Sequence, residues 1–146
     1  MIAAVILSAG ESSRMGRPKA LLPIEGGTFI ERIVGVLTKT PVAKITVILG
    51  HNAEEMRHRV EHLPVDILIN RNYKQGQLSS LQAAVRRLEA DTNCDGMLVH
   101  LVDHPYIDPK LVELMIRRFY ETGKLIVVPR FAGKRGVNLC LILCGE

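Results

Sequence analysis

At 146 residues the chain is long enough for one domain with a real core, and 47% hydrophobic with 23% charged residues describes a globular protein rather than a disordered one. The formal net charge of +4 suits a polyanionic ligand, yet the cations are scattered, and three Tyr, three Phe and no Trp leave few stacking platforms for single-stranded nucleic acid. A nucleotide is the expected anion. Cys94, Cys140 and Cys144 form no C-x-x-C and no disulfide framework. With no charged leader and no apolar run of ~18 residues, the chain is expected to be reduced and cytoplasmic, without signal peptide or membrane span.

Ile2-Ala3-Ala4-Val5-Ile6-Leu7 is short, branched and apolar throughout, the pattern of a parallel strand covered on both faces. The loop that leaves it, Leu7-Ser8-Ala9-Gly10-Glu11-Ser12-Ser13-Arg14-Met15-Gly16-Arg17-Pro18-Lys19, carries glycines, small hydroxyls and cations. Gly10 and Gly16 let main-chain N–H groups approach a ligand closely. Arg14 offers a planar fork to phosphate oxygens and Lys19 a point charge. The spacing is neither of the common cradles. Five residues separate Gly10 from Gly16, Arg17 follows where the Walker pattern needs lysine, and G-x-G-x-x-G is absent. By its residues alone the loop is either a phosphate cradle or a solvated turn.

Thr28 is predicted to cap a helix through Ile30, Ile33, Val34 and Leu37 that stops before Pro41. Lys44 to Leu49 is a second strand, Asn52 is placed to cap a short helix over 53–62, and Val65 to Ile69 is a third strand. This alternation with short connections predicts a parallel sheet with right-handed crossovers. A polar loop over 70–77 precedes a helix over 78–88 that buries Leu81, Ala84, Val85 and Leu88. Gly76 ahead of Ser79 and Ser80 fits an anion or ribose contact, or an ordinary serine cap. Gly96 to Val102 is the next strand, ended by Asp103-His104-Pro105. A carboxylate at the carboxyl end of a central parallel strand lies where open α/β sheets bind ligands, and it can equally cap its own turn. Asp108-Pro109 opens a helix that Gly123 closes, followed by a strand over 125–129. His58-Arg59-Val60-Glu61-His62 fits H-x-x-E-H, but with no third ligand beside it the segment reads as a solvated face. Cys140 and Cys144 read as small apolar residues of a buried strand.

The string L-x-A-G-x-S-x-R-M-G-x-x-K followed by L-L-P resembles the N-terminal signature of the molybdenum cofactor guanylyl- and cytidylyltransferases, matched by Leu7, Ala9, Gly10, Ser12, Arg14, Met15, Gly16 and Lys19. Asn70, Gly76, Ser79, Ser80 and Leu81 stand where that family has a strand-ending Asn and a G-x-x-S-S-L-like segment. Asp103 and Pro105 match its Asp-x-Pro. The resemblance covers about residues 1–136 and implies one domain, a three-layer α/β/α sandwich with a mostly parallel sheet, nucleotide-diphospho-sugar transferase-like and Rossmann-like.

What the resemblance implies for function is nucleotidyl transfer, in which an acceptor phosphate attacks the α-phosphate of an NTP and pyrophosphate leaves. Arg14, Lys19 and Asp103 would take catalytic roles, with Mg²⁺ on Asp103. Leu7, Ala9, Gly10, Gly16, Asn70, Ser79 and Ser80 would surround the nucleotide. Asp103-His104-Pro105, the segment 76–81 and Gly133-Lys134-Arg135-Gly136 look more like the cytidylyl branch, so CTP is the expected donor and a phosphorylated small molecule such as molybdenum cofactor the acceptor. Sugar- and alditol-phosphate nucleotidyltransferases begin with similar loops. An inactive nucleotide-binding module is the reading of a different class. Beyond Gly136 the family continues with His-Pro, an apolar strand, a helix and a second acidic ligand, none of which the residues 137–146 spell beyond one apolar strand. The chain is therefore expected to lack the family's C-terminal part, with an apolar surface on that last segment open to self-association.

Overall fold

The chain begins with β1 (Ile2–Ser8), in which Ile2 through Leu7 are all buried, so both faces of the strand are covered. A small hairpin of β2 (Pro23–Ile24) and β3 (Gly27–Thr28) leads into α1 (Phe29–Leu37), where the Thr28 hydroxyl accepts from the Glu31 N–H at 3.4 Å. Then follow β4 (Val42–Leu49), α2 (Ala53–Val60), β5 (Asp66–Ile69), α3 (Gln77–Glu89), β6 (Gly96–Leu101) and α4 (Pro109–Thr122). The chain continues through β7 (Ile126–Val127), the hairpin β8 (Arg130–Phe131) and β9 (Lys134–Arg135), and β10 (Leu139–Leu143). The computed structural model describes residues 1–11, 16–135 and 139–144.

The main sheet has the order β5-β4-β1-β6-β10-β7. Its first four strands are parallel, with Val5 of β1 opposite Thr46 of β4 and Val99 of β6, while β10 runs antiparallel to both of its neighbours. One face packs Ile2, Ala4, Ile6, Val47 and Leu98 against α1, α2 and α4. The other packs Ala3, Val5, Leu7, Ile48 and Val99 against Ala84 and Leu88 of α3. The expected three-layer sandwich is present, with three helices on one side and one on the other. Among the described residues no helix is long and apolar enough to cross a membrane.

Several local expectations are corrected. Helix α2 ends at Val60, two residues short of the predicted end, and Asn52 enters it in the left-handed region at φ 50° without a side-chain cap bond. Asn tolerates that conformation better than most residues. Val85 lies on the exposed side of α3, whose buried face runs Ser80, Ala84, Leu88. The strand over 125–129 contracts to Ile126 and Val127. The last segment is not an open apolar edge. Leu139 to Leu143 pairs with β6 on one side and, at Leu141 and Ile142, with β7 on the other, burying Leu139 and Leu141 while Leu143 stays exposed. His58 faces Glu61 at 3.5 Å and His62 faces half-buried Glu31 at 3.7 Å, with His58, Glu61 and His62 exposed as a solvated face requires.

Candidate nucleotide site

The carboxyl ends of β1, β4 and β6 and the start of α3 surround one pocket of about 720 Å³. Open parallel sheets place ligands there because strand ends carry the loops while helix N-termini point inward. Leu7, Ala9, Gly10, Gly16, Lys19, Ser80 and Asp103 line it, so seven of the predicted site residues come together. Arg14, with Ser12, Ser13 and Met15, lies outside the described residues, as does Gly136.

Lys19 Nζ stands 3.6 Å from Asp103 Oδ2, bringing together a cation that leaves β1 and a carboxylate that follows β6. Both side chains are more than a third exposed, 43% and 37%, so solvent screens the pair and it adds little to the fold. The other carboxylate oxygen, Oδ1, lies 3.6 Å from His104 Nε2. The turn beneath is fixed by buried His100, whose Nε2–H donates to the His104 carbonyl at 2.7 Å.

Gly16 sits at φ 66°, where a side chain would be strained. At Gly10, which lines the pocket, a Cβ would meet no atom of the described residues within 4 Å. The donor set also bears on a metal. Among the described residues no group of three His, Cys, Asp or Glu side chains is placed to hold one. The Asp103 carboxylate at the border of the pocket suits Mg²⁺, which keeps several waters and is bound through one or two carboxylates plus substrate phosphates.

A wall that the sequence reading missed closes the β4 side. His51 and Tyr73 meet edge to face with ring centroids 5.9 Å apart, His51 Nδ1 lies 3.5 Å from the Tyr73 hydroxyl, and Glu11 Oε1 is 3.9 Å from the same nitrogen. All three line the pocket with Arg17, Asn52, Lys74 and Gln77. Gly50 makes the wall possible, since a Cβ there would sit 2.5 Å from the Tyr73 Cβ and 2.8 Å from the Ala9 carbonyl oxygen. The signal was available. His51 follows a parallel strand as Asp103 does, and the strand-end rule applied to β6 applies equally to β4.

Asn70 and Ser79 do not line the pocket; they hold its floor in place. The Asn70 amide donates to Ser79 Oγ and Ser80 Oγ, both at 2.9 Å, while its carbonyl oxygen accepts from the Asn72 N–H at 3.0 Å. The Ser79 hydroxyl in turn lies 3.0 Å from the Asn72 carbonyl and 2.7 Å from that of Gly76. Both residues are buried, and their side chains bond to each other and to the loop that carries Gly76 and Ser80.

Residues 4–144 match the model of the MobA-like NTP transferase domain. A relative from Mycobacterium bovis, "Probable molybdenum cofactor guanylyltransferase", is 36% identical over 132 residues, 88% of this chain and 61% of its own length. The chain thus spans about three fifths of the length of the curated relatives it first matches. Among solved structures, Rv0371c of Mycobacterium tuberculosis superposes with a TM-score of 0.82 at 26% identity, covering 95% of this chain and 70% of that one. The homolog of that protein from mycobacterium sp. strain JC1 gives 0.79 at 29% identity, covering 95% and 68%. CMP:2-keto-3-deoxy-manno-octonic acid synthetase, at 18% identity and a TM-score of 0.74, shares the fold. With the model spanning nearly the whole chain, the protein belongs to the MobA-like NTP transferase family.

Proposed function

We propose that the pocket binds a nucleoside triphosphate and that the chain transfers its nucleoside monophosphate to a phosphate-bearing small molecule of the molybdenum cofactor type. The observation that carries this is the Lys19–Asp103 pair, held 3.6 Å apart and open to a pocket bordered by Gly10 and Gly16. Lys19, Arg14 and the N–H groups near Gly10 and Gly16 would hold the phosphates and balance the charge that builds on the departing pyrophosphate. The acceptor's phosphate oxygen attacks the α-phosphorus and the bond to the bridging oxygen breaks. No side chain need act as nucleophile, because the acceptor is already anionic. Asp103 and the nucleotide's phosphates would hold Mg²⁺, which when bound supplies charge neutralisation across the reacting groups. Ser80 would face the nucleotide, while Asn70, Ser79 and His100 act as positioning residues.

The relatives' names give the transferred group as guanylyl, so GTP is the first donor to test; the expectation of CTP has no support from them. A second reading, binding without turnover, is favoured by the lack, among the described residues, of any group of three His, Cys, Asp or Glu side chains placed to hold a metal. Asp103→Asn decides between the two, assayed by pyrophosphate release with GTP and then CTP beside molybdenum cofactor. Transfer predicts turnover in the native chain and a loss of about 10²–10³-fold in the variant, with thermal stability unchanged. No turnover in the native chain, with intact nucleotide binding, supports the binding module.

A further inference from the structure

At the opposite end of the sheet from the pocket, two of the three cysteines meet. Cys94 precedes β6 and Cys144 follows β10, and the antiparallel ladder that pairs Leu143 with Gly96 continues one step further, as the Cys144 N–H donates to the Asp95 carbonyl at 3.0 Å. That step sets the two backbones side by side. Cys94 Sγ then lies 3.0 Å from Cys144 Sγ, about 1 Å beyond the roughly 2.05 Å of a disulfide bond. Both are free thiols. Cys94 is buried and Cys144 half-buried in the smaller core cluster, and neither touches the nucleotide pocket. Cys140 is on the same strand, four residues earlier.

We propose that Cys94 and Cys144 form a dithiol pair that a peroxide oxidant converts to an intramolecular disulfide, stapling the C-terminal strand to the edge of β6. Cys144, the more accessible thiol, attacks one oxygen of hydrogen peroxide as its thiolate; the O–O bond breaks, leaving a sulfenic acid and, with the thiol proton, one water. Cys94, whose sulfur lies 3.0 Å away, attacks it, forming the S–S bond and releasing the second water. Two thiols thereby lose two electrons and two protons to one peroxide. Burial pushes the Cys144 thiol up to about 12, so the reaction is slow and the dithiol persists without oxidant. The bond closes a loop spanning 50 positions that includes β6, Asp103, α4 and β7, and it pins β10, the strand wedged between β6 and β7. Closing a loop of that length restricts the unfolded chain more than the folded one.

The test exposes the 146-residue chain to hydrogen peroxide, then counts alkylatable thiols, weighs the intact chain and maps its peptides. The expected result is a fall from three thiols to one, a mass lower by two hydrogens, a Cys94–Cys144 peptide and a thermal midpoint raised by roughly 5 °C or more. Cys140→Ser should leave the linkage unchanged and Cys144→Ser should abolish it. Three thiols that persist through prolonged oxidation would overturn the proposal. So would a linkage through Cys140, a disulfide between two chains, or overoxidation of Cys144 with no disulfide formed.

Discussion

The two ends of the central sheet handle their charges in opposite ways. At the carboxyl ends of β1, β4 and β6 the side chains pair loosely around an open pocket, Lys19 with Asp103 at 3.6 Å and His51 with Glu11 at 3.9 Å. At the other end they close on each other. Lys44 meets Asp91 at 2.7 Å, the Tyr120 hydroxyl donates to Asp95 at 2.9 Å, and the N-terminal ammonium reaches both the Asn93 carbonyl and the Asp95 carboxylate. Those contacts hold the Asp91 and Asp95 carboxyls below their ordinary range, by the Lys44 hydrogen bond in one and the terminal amine in the other. Pairs closed to hydrogen-bonding distance tie distant segments of the chain together, whereas the longer pairs at the strand ends are solvent-screened and line a pocket.

The sharpest way to break this comparison is Lys19→Ala. If Lys19 serves a triphosphate, its loss weakens nucleotide binding by about 1.5–3 kcal/mol, the range for hydrogen bonds to charged groups, while the thermal midpoint hardly moves; titration calorimetry and a melt on the same sample read both. Asn70→Ala probes the floor of the pocket. It leaves buried Ser79, Ser80 and the Asn72 N–H short of a partner, so stability should fall by about 1–3 kcal/mol and nucleotide affinity should fall with it as the loop loosens. The smallest effect belongs to the far end. Because the Asp95 carboxyl is held low in the folded chain, its stabilising contribution is present above about pH 4 and lost as pH falls through the folded value. Asp95→Asn should flatten that part of the stability curve and leave nucleotide binding untouched, as melts between about pH 2 and 6 would record.

The order of the parallel elements was legible because β1 is apolar from Ile2 through Leu7 and because Thr28 and Asp108 cap α1 and α4 with their side chains. Asp103 was legible by its place after a central strand. Less visible were features that depend on two distant segments meeting. Tyr73 and His51 become a wall only when β4 and the loop before α3 come together, and Gly50 acquires its reason only from Tyr73. Asn70 carried the right position but a different task, since nothing in its local sequence tells whether an amide faces a ligand or two serines. The antiparallel insertion of β10 between β6 and β7 was hidden for a similar reason. An apolar run signals burial but not which neighbours it pairs with.

The most direct measurement of the central claim is isothermal titration of the chain with GTP, and beside it CTP, ATP and UTP, each with and without Mg²⁺, in the native form and in Lys19→Ala. A triphosphate that binds more tightly with Mg²⁺, preferring GTP, and loses most of that affinity in the variant is the expected outcome. Binding of no triphosphate, or binding indifferent to both Mg²⁺ and Lys19, would contradict the assignment of the pocket at the strand ends to a nucleotide.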